Sequence, residues 1–335
     1  MIDLRDYGYD ERLSGSAENG LLPARVIEVR RERYRVICEH GEAVAAVKGS
    51  LLYRAAGMND LPAVGDFVLL SHDPGLCGVD RVLERRSKFS RTEPKTMREE
   101  VIAANFDTVC VCSSLNRDFN LNRIVRYVSA ARVSGGEPVV LLTKADLCGD
   151  PESYIDAVRK AIPGMAVVAL SSATGEGMDL LSPYLAPART LVFLGMSGVG
   201  KSTLLNTLAG EALMDVREIR GEDARGRHTT THRRMFRLPS GALVIDTPGM
   251  RELGLWNAVE GVSKTFAGVK ALSATCKFGN CTHTSEPGCA VRKAIEEGAL
   301  PPELLRNYQK QMREARYAER KSACIARRGT KNRRM

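Results

Sequence analysis

The stretch Gly195–Ser202 constrains the fold more than any other part of this 335-residue chain. It reads Gly-Met-Ser-Gly-Val-Gly-Lys-Ser, follows the apolar run Thr190–Leu194 and precedes the apolar-periodic run Thr203–Leu208. A strand, a glycine-rich loop and a helix in this order form a phosphate-binding loop, because glycines let successive backbone N–H groups point at phosphate oxygens beside a helix N-terminus. The pattern therefore predicts an α/β domain that holds phosphate groups.

The chemistry of this loop predicts a role for each of its residues. The ammonium of Lys201 would lie on the β- and γ-phosphates, where it stabilises the charge that develops during phosphoryl transfer, and the Ser202 hydroxyl would be a Mg²⁺ ligand. The residues expected to contact the phosphates are Gly195, Met196, Ser197, Gly198, Val199, Gly200, Lys201, Ser202 and Thr203.

Three further segments lie at the ends of predicted strands, and each resembles a motif of the same nucleotide-binding domain. Leu243–Gly249 ends in Asp-Thr-Pro-Gly and resembles the G3 motif of GTPases, in which Asp246 would hold Mg²⁺ through water and the Gly249 N–H would meet the γ-phosphate. Thr143, Lys144, Ala145 and Asp146 resemble the G4 motif, and the Ser171, Ser172 and Ala173 segment resembles the G5 loop. A carboxylate at Asp146 can accept from guanine N1–H and N2–H₂, a donor pair that adenine lacks. Threonine at 143, where the G4 motif usually has asparagine, leaves its contacts to the base and the loop open.

The order of these motifs is G4-G5-G1-G2-G3, which is a circular permutation of the usual order. The G2 segment is expected within Gly226–Arg233, where Thr230, or as second choice Thr231, would bind Mg²⁺ and close over the γ-phosphate. Apolar strands alternate with helices around these motifs, which is typical of a parallel sheet covered on both faces. Met250 follows the G3 glycine and cannot orient a water, so we expect the isolated chain to hydrolyse GTP slowly.

Three cysteines and one histidine crowd into 14 positions near the C-terminus, as Cys276, Cys281, His283 and Cys289. A Cys₃His set without a spare coordination position is the composition of a closed structural zinc site, so we expect one tetrahedral Zn²⁺. Predicted helices surround it, and Leu305, Tyr308, Met312 and Ala315 form an apolar stripe on the last of them.

The N-terminal part and the charge distribution complete the organisation. Five short β-branched runs between residues 21 and 91 fit a small barrel such as an OB-fold. The predicted domains are 1–95 (tail and OB-fold), 96–256 (permuted P-loop GTPase) and 257–335 (helical zinc-binding domain with a basic tail).

Of the net charge of +9, residues 290–335 carry +8, from 13 Lys/Arg against 5 Asp/Glu. Such a concentrated basic segment favours a nucleic-acid partner, and on charge alone an anionic membrane surface or a merely solvated tail stays open. No apolar run is long enough to span a membrane.

The motifs and the order of modules together resemble the RsgA (YjeQ) family of bacterial GTPases of small-ribosomal-subunit biogenesis. The resemblance covers nearly the whole chain. It implies an OB-fold, a permuted GTPase domain and a zinc module in a cytoplasmic protein that works with GTP or GDP and Mg²⁺ and binds the 30S subunit and its 16S rRNA late in assembly. It further implies that the subunit stimulates hydrolysis, which times release, and that His228 of the G2 segment orients the attacking water. We also expect the chain to be a monomer in solution.

Two other functions stay open from the residues alone. A P-loop kinase would not need Asp146 on guanine, so competition between GTP and ATP separates it from a GTPase. A structural RNA-binding factor with a vestigial nucleotide site would release no phosphate in response to the subunit. His228 could equally be a solvated or RNA-facing loop residue.

Overall fold

The computed structural model describes residues 1–13, 20–30, 33–71, 77–92, 99–116, 119–212, 233–246 and 258–331. The described chain forms a small β-barrel, an α/β domain and a helical module at the C-terminal end, with a two-stranded hairpin between the first two. The barrel and the α/β domain share one continuous eleven-stranded sheet.

The barrel is closed and has five strands, which confirms the predicted OB-like architecture. Its order is β1-β2-β3-β5-β4, and β4 pairs back onto β1; only the pair β3–β5 is parallel. Small apolar side chains such as Ala24, Val36 and Val68 fill the interior without exposure. The elements are β1 (Leu22–Arg30), β2 (Arg33–Cys38), β3 (Gly41–Val47), α1 (Gly49–Arg54), β4 (Phe67–Ser71) and β5 (Cys77–Val82).

The hairpin consists of β6 (Lys88–Thr92) and β7 (Glu99–Ala104), which pair antiparallel. The predicted boundary between residues 95 and 96 falls between these two strands. Glu100 of β7 accepts from Arg91 Nε at 2.8 Å and from Arg233 Nη2 of the α/β domain at 2.9 Å, so the hairpin contacts that domain through an ion pair.

The α/β domain has the strand order β10-β9-β8-β11-β13-β12, in which all neighbours are parallel except β12 with β13. Buried strands alternate with helices along this part of the chain, which confirms the predicted pattern. The elements are β8 (Thr108–Ser114), α2 (Leu121–Ser134), β9 (Glu137–Thr143), α3 (Pro151–Ala161), β10 (Val167–Leu170), β11 (Thr190–Leu194), α4 (Lys201–Ala209), β12 (Arg233–Arg237) and β13 (Leu243–Asp246).

Both faces of this sheet are buried, as a parallel sheet requires. Alternate side chains of β8 show the division: Val109 and Val111 pack with α2 and α3, whereas Cys110 and Cys112 pack on the other face with α4. The two cysteines thus point to the same face, as the alternation of side chains along a strand requires.

Strand β1 joins the barrel to the α/β domain. Its first half pairs with β4 inside the barrel, while Glu28 and Val29 near its end pair with Arg234 and Arg233 of β12. A bulge between Val26 and Glu28 accompanies this change of partner. The two modules are therefore joined by backbone hydrogen bonds as well as by side-chain packing.

A buried arginine supports the same junction. Arg25 is fully buried and donates to the carbonyl oxygens of Asn105 at 2.7 Å, of Gly65 at 3.2 Å, and of Tyr7. Its guanidinium also lies over the Phe67 ring, 4.8 Å from the centroid. Burial lowers the pKa of Arg25 to about 9, which still leaves it charged at pH 7. One cation thereby joins the N-terminal segment, the barrel and the entry to the α/β domain.

The C-terminal module packs on the face of the sheet that carries α2 and α3. Helix α5 approaches α2 so closely that a Cβ on Gly261 would lie 2.5 Å from the Ser129 carbonyl oxygen. The apolar stripe of α8 is buried in the same core, with Tyr308 against Phe266 at 5.8 Å between ring centroids. The helices are α5 (Ala258–Thr265), α6 (Ala267–Ser273), α7 (Ala290–Glu296) and α8 (Pro302–Lys331). Within the described ranges, none of the helices is long and apolar enough to cross a membrane.

Candidate functional site

The predicted nucleotide motifs meet at one edge of the α/β sheet. Strands β9, β10, β11 and β13 run parallel within it and end at Thr143, Leu170, Leu194 and Asp246. The carboxyl ends of parallel strands lie at the same edge, where open α/β sheets bind their ligands. The G4, G5, phosphate-loop and G3 segments begin there in spite of their permuted order.

The phosphate loop has the backbone that its glycines predict. Gly198 and Gly200 have φ of 81° and 94°, and Gly200 caps the N-terminus of α4. A Cβ on Gly195 would lie 2.7 Å from the Cys112 carbonyl oxygen, so only glycine fits against β8 there. Lys201 Nζ donates to the carbonyl oxygens of Gly195 and Met196, each at 2.7 Å, which holds the ammonium over the loop.

The buried thiol of Cys112 lies close enough to Lys201 to be influenced by its charge. Burial raises the pKa of the Cys112 thiol to about 12, and the positive charge of Lys201 only partly offsets this. Cys112 is therefore a neutral thiol at pH 7, so it does not neutralise the positive charge of Lys201.

The G4 segment is bonded directly to the phosphate loop. Thr143 is buried, and its hydroxyl donates to the Val199 carbonyl oxygen at 2.5 Å. Lys144 adopts a left-handed backbone with φ of 60°, and its ammonium donates to the Gly198 carbonyl oxygen at 2.8 Å. The contact from Thr143 to the loop, which the sequence left open, is thus made by the hydroxyl.

The side chains predicted to read the base follow the ends of β9 and β10. Asp146 is exposed in a short 3₁₀ turn, Ala145–Leu147, directly after the buried strand β9. In the G5 segment, Ser171 is buried and its hydroxyl oxygen accepts from the backbone N–H groups of Ala173 and Thr174 at 3.2 and 3.3 Å. This closes the loop into a turn in which Ser172 is half-buried and Ala173 is exposed.

Of the predicted Mg²⁺ ligands, the structure describes Ser202, at the second position of α4, and Asp246, the last residue of β13. Hard oxygen donors of this kind suit Mg²⁺, and β13 is the direct neighbour of β11, so the residues present fit the ion. His228, Thr230 and Gly249, with Thr231 and Met250, lie outside the described residues, and their roles stay predictions.

The Cys₃His set comes together as predicted, with the four ligand atoms all within 4.8 Å of one another. His283 Nδ1 lies 3.7 Å from Cys276 Sγ and 3.4 Å from Cys289 Sγ, and the two sulfurs are 4.0 Å apart. Tetrahedral zinc with Zn–S of about 2.3 Å and Zn–N of about 2.0–2.1 Å requires edges of about 3.6 Å (S–N) and about 3.8 Å (S–S). The donor set therefore fits Zn²⁺ in composition and in spacing.

A serine that the sequence did not single out selects the ligand nitrogen of the histidine. Ser273 Oγ, at the end of α6, donates to the Val269 carbonyl oxygen at 2.7 Å and lies 3.0 Å from His283 Nε2. Because its only proton is used on Val269, the hydroxyl accepts from Nε2–H, which leaves the Nδ1 lone pair facing the sulfurs. Burial lowers the pKa of His283, against a raising effect of Glu286, so the imidazole is neutral at pH 7.

Glu286 holds the loop that carries His283. Its carboxylate accepts from the Thr282 hydroxyl at 2.5 Å and from the backbone N–H groups of Thr282 at 2.7 Å and Thr284 at 2.9 Å. These bonds, the hydroxyl's above all, hold the pKa of Glu286 well below the usual range. His283 itself has a φ of 61°, a left-handed conformation that these bonds support. No sequence signal pointed to Ser273 or Glu286, because their partners are set by the turn geometry of this module.

Taken together, the sheet, the phosphate loop and the G4 contact define a P-loop nucleotide-binding domain of permuted order, between an OB-like barrel and a Cys₃His module. A family model described as RsgA GTPase matches residues 82–256. The chain belongs to the RsgA GTPase family, whose members are named as enzymes that act on GTP.

Relatives of similar length agree with this assignment. Small ribosomal subunit biogenesis GTPase RsgA 2 of Lactiplantibacillus plantarum is 44% identical over 319 residues, which are 94% of this chain and 90% of the relative. The RsgA protein of the same description from Opitutus terrae is 43% identical over 336 residues, covering 96% and 92%.

Two solved structures share the fold. YjeQ from Thermotoga maritima superposes with a TM-score of 0.66 at 24% identity, covering 88% of this chain and 98% of its own. YloQ, described as a circularly permuted GTPase, gives a TM-score of 0.63 at 24% identity, covering 90% and 97%. These likenesses confirm the predicted fold class.

Proposed function

We propose that this chain binds the 30S ribosomal subunit late in assembly, hydrolyses GTP in response to it, and is released when hydrolysis is complete. The observation that carries the proposal is the pair of bonds from Thr143 and Lys144 to the carbonyl oxygens of Val199 and Gly198. They join the segment expected to read the base to the loop expected to hold the phosphates, so both belong to one site.

The proposed roles at this site follow from the donors present. Asp146 accepts from guanine N1–H and N2–H₂, while the loop N–H groups and Lys201 hold the phosphates. Ser202, Asp246 and Thr230 would hold Mg²⁺, which when bound neutralises charge on the β- and γ-phosphates. Phosphoryl transfer to water depends chiefly on positioning and charge stabilisation, and these residues supply both.

The proposed water-orienting residue is His228. Without a glutamine after the G3 glycine, intrinsic hydrolysis should be slow, and contact with the subunit would order the G2 segment so that an imidazole nitrogen reaches the water. Thr230 would close over the γ-phosphate in the same arrangement.

We propose that the basic segment 290–335 of this chain binds rRNA of the subunit. The relatives from L. plantarum and O. terrae are named for small-ribosomal-subunit biogenesis. In this chain, 13 of the 46 residues from 290 to 335 are Lys or Arg, which can neutralise 16S rRNA phosphates. We propose a cytoplasmic monomer without membrane contact, whose Zn²⁺ is structural and whose domains are 1–95, 96–256 and 257–335.

The experiment is GTP turnover by the purified chain alone, with 30S subunits and with 50S subunits, each repeated with ATP. We expect slow GTP turnover that only 30S subunits accelerate. The matched control is Lys201→Ala, which should lose stimulated turnover. Equal turnover of ATP would favour a different P-loop enzyme, and absence of stimulation by 30S subunits would favour a structural assembly factor.

A further inference from the structure

We propose that Thr143 holds the phosphate loop and that this site does not read guanine N7, so that it binds 7-deazaguanine nucleotides as well as guanine nucleotides. The inference rests on the proposed function, because it concerns how a guanine nucleotide is held at the same site. It identifies Thr143 as a positioning residue and sets a limit on which atoms of the base are recognised.

The hydroxyl of Thr143 is already used as a donor within the protein, so it cannot also donate to the base. The side chain is 3% exposed, and Oγ1 lies 2.5 Å from the Val199 carbonyl oxygen and 3.4 Å from that of Ser113. A threonine hydroxyl carries one proton, and the shorter contact takes it. Both contacts of Oγ1 are carbonyl oxygens, which accept hydrogen bonds and donate none. The hydroxyl therefore has no second proton from these groups to offer to the base.

The chemistry of the base then decides the consequence. Guanine N7 is an acceptor without a proton, so only a donor can recognise it. Thr143 could approach N7 only with an oxygen lone pair, which is repulsive. An asparagine amide has two N–H donors, so it can donate to a loop carbonyl and to N7 at the same time. A threonine hydroxyl has one donor and can donate to only one of them.

Lys144, the next residue, is also committed to the loop. Its ammonium donates to the Gly198 carbonyl oxygen at 2.8 Å. Two successive side chains thus bind two successive carbonyls of the segment that ends at Gly200, the N-cap of α4. Val199 is 2% exposed, so loss of the Thr143 hydroxyl leaves its carbonyl without this donor in a buried place.

The test compares dissociation constants for GDP and 7-deaza-GDP, measured by displacement of a ribose-labelled fluorescent GDP from the full-length chain. Wild type is compared with T143S, which keeps the hydroxyl, T143V, which removes it at nearly constant shape, and T143N, which supplies two donors. We expect the two ligands to bind wild type within about twofold of each other. T143V should weaken both by about fivefold or more and by the same factor, and T143S should recover most of that loss. T143N should prefer GDP by about two- to tenfold, the effect of one hydrogen bond.

A preference of wild type for GDP over 7-deaza-GDP of fivefold or more would overturn the inference, and so would T143V that binds both ligands as wild type does. These outcomes differ from failure of the proposed function, which would appear as ADP displacing the label as well as GDP. The thermal unfolding midpoint verifies that T143V is folded. An equal loss of affinity for GDP and 7-deaza-GDP in the folded variant is then attributable to the phosphate loop.

Discussion

Replacing Ser273 by alanine should weaken zinc binding although Ser273 is not a ligand. Its hydroxyl accepts from His283 Nε2–H at 3.0 Å while donating to the Val269 carbonyl oxygen at 2.7 Å. This arrangement fixes the tautomer in which Nδ1 carries the lone pair, 3.4 Å from Cys289 Sγ. Without the hydroxyl, Nε2–H loses its acceptor, and the ring no longer has one favoured tautomer or orientation.

The magnitude follows from the partners that are lost. Residues that orient a metal-binding histidine typically change metal affinity by about 10–100-fold, which corresponds to about 1.4–2.8 kcal/mol. His283 is 8% exposed, so water has little access to replace the missing acceptor. We therefore expect Ser273→Ala to weaken Zn²⁺ binding by at least about tenfold.

The assay is competition for Zn²⁺ against a chromogenic chelator at pH 7. Ser273→Thr is the matched control, because it keeps a hydroxyl on the same carbon and should stay within about threefold of wild type. Unchanged zinc affinity in Ser273→Ala would refute the reasoning, and so would equal losses in the alanine and threonine variants. Wild type that binds no zinc would refute the metal site itself.

Three other predictions concern the base, the domain junction and the partner. Asp146→Asn should shift binding preference from GTP toward xanthosine triphosphate, whose C2 oxygen needs a donor; equal GTP affinity of wild type and variant in nucleotide competition would contradict this. Arg25→Met should lower the free energy of unfolding by about 2–4 kcal/mol, because the carbonyls of Tyr7 and Asn105 lose their donor, and an unchanged urea midpoint would argue against it. Removal of residues after Lys321 should weaken 30S binding in sedimentation and flatten its salt dependence, while intrinsic turnover stays the same; loss of turnover with intact binding would exclude this division of roles.

Much of the fold was predictable because it depends on local patterns. The buried strands β8, β9 and β11 are continuous apolar runs, and such runs alternating with helices specify a parallel sheet. The phosphate loop and the zinc ligands were predictable for a different reason: their chemistry requires fixed residue types at close spacing.

The contacts that were not predictable join residues far apart in sequence. Pairing of Glu28 with Arg234 connects the barrel to the α/β domain, and nothing in either segment specifies the other as its partner. Arg25 reads as an ordinary exposed position of an alternating strand, yet its three carbonyl acceptors come from three segments that only the folded chain brings together. Ser273 likewise gains its role only when the turn places His283 beside the end of α6.

The permuted order of motifs leaves the nucleotide site intact because the site is made by strand ends, and a strand end keeps its place whichever way the strands are connected. Permutation changes which modules follow those ends along the chain. Here the strand that ends at Asp246 is followed, after the eleven residues 247–257, by α5. Helix α5 packs on α2 through Gly261, where a Cβ would lie 2.5 Å from the Ser129 carbonyl oxygen. An interface with so little free space transmits displacement rather than absorbing it. The segment expected to meet the γ-phosphate is thus followed directly in the chain by a tightly packed helix, α5. In an unpermuted chain a different element would follow that segment.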